Sequence, residues 1–97
     1  MENYNLSTIA MLDMVGIYKR GIKYFGVNQA VKYQYELEDI FYELSKRPEI
    51  ARDGSTLKNN LKFFRYKGHY VFYEFEKKSE IFIIRVLGKR MNFIEHF

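Results

Sequence analysis

The apolar residues of this chain change their spacing once, and that change limits the fold more than any other feature. Up to Pro48 they recur every three or four positions, whereas beyond Leu61 they alternate with a period near two. A period near 3.6 buries one stripe of a helix, and a period of two buries one face of a sheet. The chain therefore reads as an α+β fold with its helices first and most of its strands after them. Within the first half, Ala10, Met14, Ile17, Gly21 and Tyr24 follow one another at spacings of 4, 3, 4 and 3. Ser7 or Thr8 offers a side-chain oxygen to the free amides at the start of that helix, and Gly26 can take positive φ at its end. A second helix is expected from about Asn28 to Lys46, with Ala30, Tyr33, Leu37, Ile40, Phe41 and Leu44 on its apolar side. Pro48 closes it, because the residue before a proline disfavours the α region.

The short junction at Gly26 folds the two helices into an antiparallel hairpin. A polar loop around Asp53-Gly54-Ser55 is expected from Ile50 to Asn60. Strands follow at Leu61 to Tyr66, His69 to Glu76 and Ile81 to Leu87, divided by Lys67-Gly68 and Lys77-Lys78-Ser79, and should pair as an antiparallel meander. A short strand from Glu2 to Leu6 joins that sheet at an edge. The expected order over residues 1–97 is β-α-α-β-β-β in one domain, with the helices on one face of a small antiparallel sheet. Val71 and Tyr73 share one sheet face while Tyr70, Phe72 and Glu74 share the other, so the second face should meet a partner or a concavity.

A chain of 97 residues buries only about 60 to 65% of the surface its unfolded state exposes, so a dense core or a partner is needed. Nine Phe can supply the core, while nine Tyr are too many to hide with every hydroxyl paired. The absence of Cys removes disulfides, thiolate nucleophiles and thiolate metal sites. His69 and His96 are the only imidazoles and lie far apart in sequence, so neither a metal nor another cofactor is expected. Acidic Glu2 stands where a signal peptide needs bases, and no apolar run approaches the ~20 residues that span a bilayer. The expectation is a soluble cytoplasmic protein without membrane contact.

The net charge of +4 is unevenly spread. Residues 57–91 hold nine bases against three acids, a surplus of six, whereas residues 1–56 hold seven bases and eight acids. That basic half points to an acidic partner, nucleic acid or polypeptide.

Several segments in order resemble the ParE toxins of type II toxin-antitoxin systems, within the RelE/ParE superfamily. Tyr24-Phe25-Gly26-Val27-Asn28-Gln29-Ala30 is similar to that family's aromatic-Gly-x-x-Gln-Ala helix junction, and Asp13 and Ile17 stand where its first helix has them. His69-Tyr70-Val71-Phe72-Tyr73 resembles its H-x-I-F-Y strand. Ile81 to Leu87 followed by Arg90-Met91 resembles its final strand and turn, and His96 falls at a common tail histidine. The chain departs from the pattern at Gly88, which replaces a His, at Asn92, which replaces a frequent Asp, and at Ile50-Ala51-Arg52, which lacks a Gly-Arg run. Gly88-Lys89-Arg90 is instead similar to the V-G-K-R strand end of RelE.

The resemblance implies a toxin that poisons DNA gyrase on cleaved DNA, held in check by a ParD-type antitoxin in a hetero-oligomer that reaches operator DNA through the antitoxin. The RelE branch instead cleaves ribosome-bound mRNA, with lysines, arginines and a tail tyrosine handling protons and phosphorane charge. Aligned on Gly68, this chain holds Leu61, Phe63 and Tyr70 at three of those positions, which leaves Arg90, with His96 at the tyrosine position, as the residues of an alternative nuclease reading. A second alternative, motivated by Gly88, is an inactive relative that retains only antitoxin binding. For contact with a target the candidates are Arg85, Lys89, Arg90 and Met91, the last three combining two charges with an apolar side chain where the final strand ends. Arg85 should pair with a carboxylate such as Glu74 across the sheet, and His69 should hydrogen-bond a neighbouring backbone group. Tyr18, Tyr24, Tyr35 and Tyr42 are the candidates for an apolar groove that receives an antitoxin helix, and an open sheet edge would suit strand addition by the same partner.

Overall fold

The computed structural model describes residues 3–97, so the Glu2 end of the expected first strand lies outside the described residues. The chain forms β1 (Tyr4–Leu6), α1 (Thr8–Phe25), α2 (Val27–Lys46), β2 (Arg52–Asp53), β3 (Lys62–Tyr66), β4 (His69–Lys77) and β5 (Glu80–Gly88), with 3-10 turns at Pro48–Ile50 and Phe93–His96. The strands make one five-stranded sheet in the order β1-β5-β4-β3-β2 among the described residues. Strands β2 to β5 pair antiparallel, and β1 runs parallel to β5 with Leu6 opposite Ile83. The sheet is thus mixed, because the chain leaves β1 directly into α1 and returns to β5 only after both helices and the meander.

Local chemistry sets the helix ends. Ser7 Oγ accepts the Ala10 amide at 2.9 Å and caps α1. Gly26 joins the helices at φ 88° and ψ 166°, a conformation that a residue with a Cβ reaches only under strain. At Gly21 the limit is space: a Cβ there would stand 3.1 Å from that of Ala30, so the two helices approach closely only because position 21 lacks one. The loop after Pro48 was expected to be irregular, but Arg52 and Asp53 pair with Phe63 and Lys62 to add a two-residue edge strand. Asp53 then turns the chain by accepting the Ser55 amide at 3.0 Å.

The main core lies between the helices and one face of the sheet. Ala10, Met14 and Ile17 of α1 meet Leu37, Phe41 and Leu44 of α2 over Val71, Tyr73, Ile81, Ile83 and Val86. Each fully buried Leu or Phe of this set contributes about 1.5 to 3 kcal/mol through removal of its apolar surface from water. Tyr24, the last member of the expected α1 stripe, is absent from this core and is 67% exposed. The second sheet face carries its own cluster of Leu61, Phe72 and Leu87. It was expected to meet a partner or a concavity, and the chain's own tail covers it: Phe93 and Phe97 set their rings 5.1 and 4.9 Å from that of Phe72.

A bulge in β5 positions the functional region. Phe72 stands opposite Arg85 and Tyr73 opposite Ile83, so Ile84 is the extra residue. Beyond Ile83 the edge of β5 is no longer paired with β1. It is satisfied instead from the start of α1, by Ser7 N and Ser7 Oγ donating to Ile83 O and Ile84 O at 2.8 and 2.7 Å, and by Asp13 Oδ2 accepting Val86 N at 2.9 Å. These contacts occupy the part of β5 that extends beyond β1. The opposite edge is β2 with the part of β3 beyond it, residues 64–66.

Candidate functional site

Where β5 ends, Gly88 stands opposite His69 at the start of β4. The following turn is fixed by Lys89 N donating to Gly68 O at 2.9 Å and Met91 N donating to Gly88 O at 3.0 Å. Lys89, Arg90 and Met91 are all exposed. They border a cavity of about 550 Å³ whose far wall is α1, with Leu12, Asp13, Gly16 and Arg20. A Cβ at Gly88 would meet only Met91 at 3.9 Å, so a side chain there would project into this region without clashing.

The charges in this cleft are unbalanced. Asp13 is occupied: its carboxylate receives Arg85 Nε at 2.8 Å, Arg85 Nη2 at 2.9 Å and the Val86 amide. Arg20, Lys89 and Arg90 have no carboxylate partner among the described residues. Three cations thus border one hollow, an arrangement that attracts an anion.

Arg85 does not pair with Glu74. The bulge at Ile84 turns it to the sheet edge beside Asp13, and Glu74 instead takes Lys58. Its remaining Nη1 lies 3.0 Å from His96 Nδ1 and donates to it, which makes Nδ1 the unprotonated nitrogen. Asp13 raises the Arg85 pKa further, so the guanidinium is permanently charged. Only about 14% of the Arg85 side chain and 13% of Asp13 stay exposed, so this expected target-contacting residue is committed internally. His96 does not line the cavity that Arg90 borders, so the two residues of the nuclease reading face different surroundings.

A second cavity, of about 470 Å³, opens at the Gly26 end of the helical hairpin. Ile17, Gly21 and Ala30 form its floor, with Tyr24, Phe25 and Tyr33 as aromatic walls and Arg20 and His69 at the side shared with the first cavity. His69 contacts a side chain and not the backbone group expected from sequence: its Nδ1 lies 2.7 Å from Tyr33 Oη. The same hydroxyl donates to Tyr66 O at 3.4 Å. Burial, aided by Arg20, holds His69 below its ordinary pKa of 6.5, so the ring is neutral near pH 7. Burial likewise pushes Tyr33 up to about 12. At the rim, Glu36 accepts Tyr66 Oη at 2.7 Å and Lys67 Nζ at 2.9 Å, and these bonds lower its pKa.

The family model for the ParE toxin of type II toxin-antitoxin systems, parDE, matches residues 4–93. The chain belongs to the ParE toxin family. It is 30% identical to Toxin ParE1 of Caulobacter vibrioides over 96 residues, 99% of this chain and 98% of that one. It is 34% identical to Toxin ParE3 of the same organism over 67 residues, 69% of this chain and 66% of the relative. The solved structure of a chromosomal ParDE TA system from P. aeruginosa superposes with a TM-score of 0.75 over 91% of this chain and 96% of that one. At 16% identity that likeness speaks for the fold.

A ParE toxin of a type II system has an antitoxin partner, and one surface here is unusually apolar for a free protein. On the outer side of α1, Ile9, Met11, Leu12 and Val15 are 48 to 64% exposed. The signal for this face was in the sequence: residues 8–18 are apolar nearly all round, more than one buried stripe requires. Of the tyrosine candidates, Tyr18 continues the Met11-Val15 line by helical spacing, and Tyr24 lines the hairpin cavity. Tyr35 and Tyr42 lie seven apart on α2 and are 64% and 37% exposed, Tyr42 beneath Lys46 Nζ at 4.5 Å from the ring centre. Of the four, Tyr24 lines the hairpin cavity described above. No helix among the described residues is long and apolar enough to cross a membrane.

Proposed function

We propose that this ParE toxin acts in the cytoplasm by contacting DNA gyrase and stalling it on cleaved DNA, as a single toxin domain with no catalytic residues of its own. The observation that carries this reading is the end of β5, where Lys89, Arg90 and Met91 stand exposed on a hydrogen-bonded turn beside unpaired Arg20. A surface of that kind offers charge for steering and an apolar side chain for burial. Arg85 supports the surface from behind through Asp13 and His96. The partner is a ParD-type antitoxin whose helix covers the apolar outer face of α1, with Tyr18, Tyr24, Tyr35 and Tyr42 as flanking contacts, and whose acidic segments answer the basic half of the chain. The toxin-antitoxin complex reaches operator DNA through the antitoxin.

Purified protein in gyrase supercoiling and cleavage-complex assays, run beside in vitro translation with primer extension, tests the reading. Gyrase-linked breaks with intact mRNA, lost in Lys89→Ala/Arg90→Ala and suppressed by antitoxin, are expected. Cut mRNA with unaffected gyrase, abolished by His96→Ala, would move the chain to the nuclease branch. Normal growth on expression without antitoxin, with antitoxin binding kept, would make it an inactive relative.

A further inference from the structure

The two cavities meet. Arg20, Gly68 and His69 line both, so the cationic hollow at the end of β5 continues past Arg20 into the aromatic hollow at the hairpin end. Each falls in the ~300 to 1,000 Å³ range of small-molecule sites. Their chemistry is divided. One side gathers Arg20, Lys89 and Arg90 around a space where the only carboxylate, Asp13, is already saturated by Arg85 and Val86. Three uncompensated cations exceed what a single carboxylate ligand needs and suit a phosphate, which carries more charge and offers several acceptor oxygens. The other side presents Tyr24 and Phe25, 67% and 74% exposed, over an apolar floor. Flat aromatic walls receive a planar ring, and stacking of a nucleobase on one side chain contributes about 1 to 3 kcal/mol.

We propose that these joined cavities form a site for a nucleoside phosphate, the phosphate held by Arg20, Lys89 and Arg90 and the base placed against Tyr24 and Phe25. Polar selectors stand at the right places. Gln29 borders the aromatic side with an amide that both donates and accepts, and His69 Nε2 has no partner among the described residues. Because Tyr33 engages Nδ1, Nε2 is the ring nitrogen left to meet a ligand. The turn that carries Lys89 is fixed to Gly68, so two walls of the phosphate side share one hydrogen-bonded frame. The site shares Arg20, Lys89 and Arg90 with the target surface proposed above and adds Tyr24 and Phe25, and its nucleotide binding is measured without gyrase, so the two readings can fail separately.

The test is an NMR titration of the isotope-labelled full chain with AMP, inorganic phosphate, adenosine and the dinucleotide ApA in parallel. AMP should saturate in the millimolar range or below, with shifts at Arg20, Tyr24, Phe25 and Lys89, and bind about tenfold tighter than phosphate or adenosine alone. Arg20→Ala should weaken AMP about tenfold or more, the loss of a charge-assisted hydrogen bond, and leave adenosine unchanged. Tyr24→Ala should weaken AMP and adenosine and leave phosphate unchanged. Both side chains are exposed, so the variants fold, and unchanged shifts in the core would verify that. Tighter binding of ApA than AMP would support the site and assign it to a nucleic acid strand, while the reverse would assign it to a free nucleotide. Phosphate binding as tightly as AMP, AMP binding indifferent to Arg20→Ala, or no saturation by any probe would overturn the proposal.

Discussion

Asp13→Ala should destabilise this protein more than any other single surface-proximal change, and the structure gives the size. The carboxylate accepts two guanidinium hydrogens from Arg85 and the amide of Val86, at 2.8 to 2.9 Å, with little exposure of either side chain. Removing one partner of a buried pair costs about 3 to 5 kcal/mol, because the other charge stays desolvated and uncompensated. The residual exposure of both groups places the expected loss at the low end, about 3 kcal/mol. A chain of this length has a total stability of about 5 to 15 kcal/mol, and each kcal/mol shifts Tm by about 4 to 8 °C, so a fall of about 12 to 24 °C is expected. Replacing both partners should be much milder. Asp13→Leu with Arg85→Met removes both charges and leaves chiefly the Val86 amide unpaired, for about 1 kcal/mol of net loss. Urea and thermal melts of the two single variants and the double variant measure this. A cost below about 1 kcal/mol for Asp13→Ala, or a double variant as unstable as the sum of the singles, would refute a buried ion pair that holds α1 to the bulged edge of β5.

Tyr73 is fully buried and its hydroxyl has no hydrogen-bond partner among the described residues, so Tyr73→Phe should be neutral or stabilise by about 1 kcal/mol in a urea melt, and a clear destabilisation would mean that the hydroxyl has a hidden partner. Gly26→Ala should cost about 1 to 3 kcal/mol from backbone strain alone, since a Cβ there meets nothing within 4 Å; an unchanged Tm would show that the hairpin relaxes freely. Because the folded state holds His69 below its ordinary pKa of 6.5, the unfolded chain binds the extra proton first. The stability this contributes is complete above about pH 6.5 and is lost as pH falls through the lower folded value, so melts at pH 7.5 and 5 should differ less in His69→Gln than in the parent. Phe97→Ala should uncover Phe72 and lower stability by about 2 to 3 kcal/mol, somewhat less than a fully buried Phe, with increased dye binding to the sheet face as the readout.

Much of the fold was legible because it rests on local signals. The apolar spacing marked α1, α2 and the meander, Ser7 and Gly26 marked the helix ends, and Lys67-Gly68 marked a hairpin turn. These depend on side chains a few positions apart, and tertiary contacts reinforced each of them. The exposed turn Lys89-Arg90-Met91 was legible for the same reason, as a polar end to an apolar strand. What the sequence did not show were pairings between residues far apart. Arg85 had several possible partners, and only the bulge at Ile84 and the closeness of α1 to the free edge of β5 selected Asp13, 72 positions away. The parallel alignment of β1 with β5, the folding of Phe93 and Phe97 over Phe72, and the meeting of Arg20 with Lys89 and Arg90 around one cavity have the same origin. The sequence by itself determined the elements and the faces they bury, since a helix or strand is specified by the periodicity of its own residues. The tertiary structure alone decided which charges are neutralised and which are left to bind, since that depends on distances that exist only once the helices have packed on the sheet.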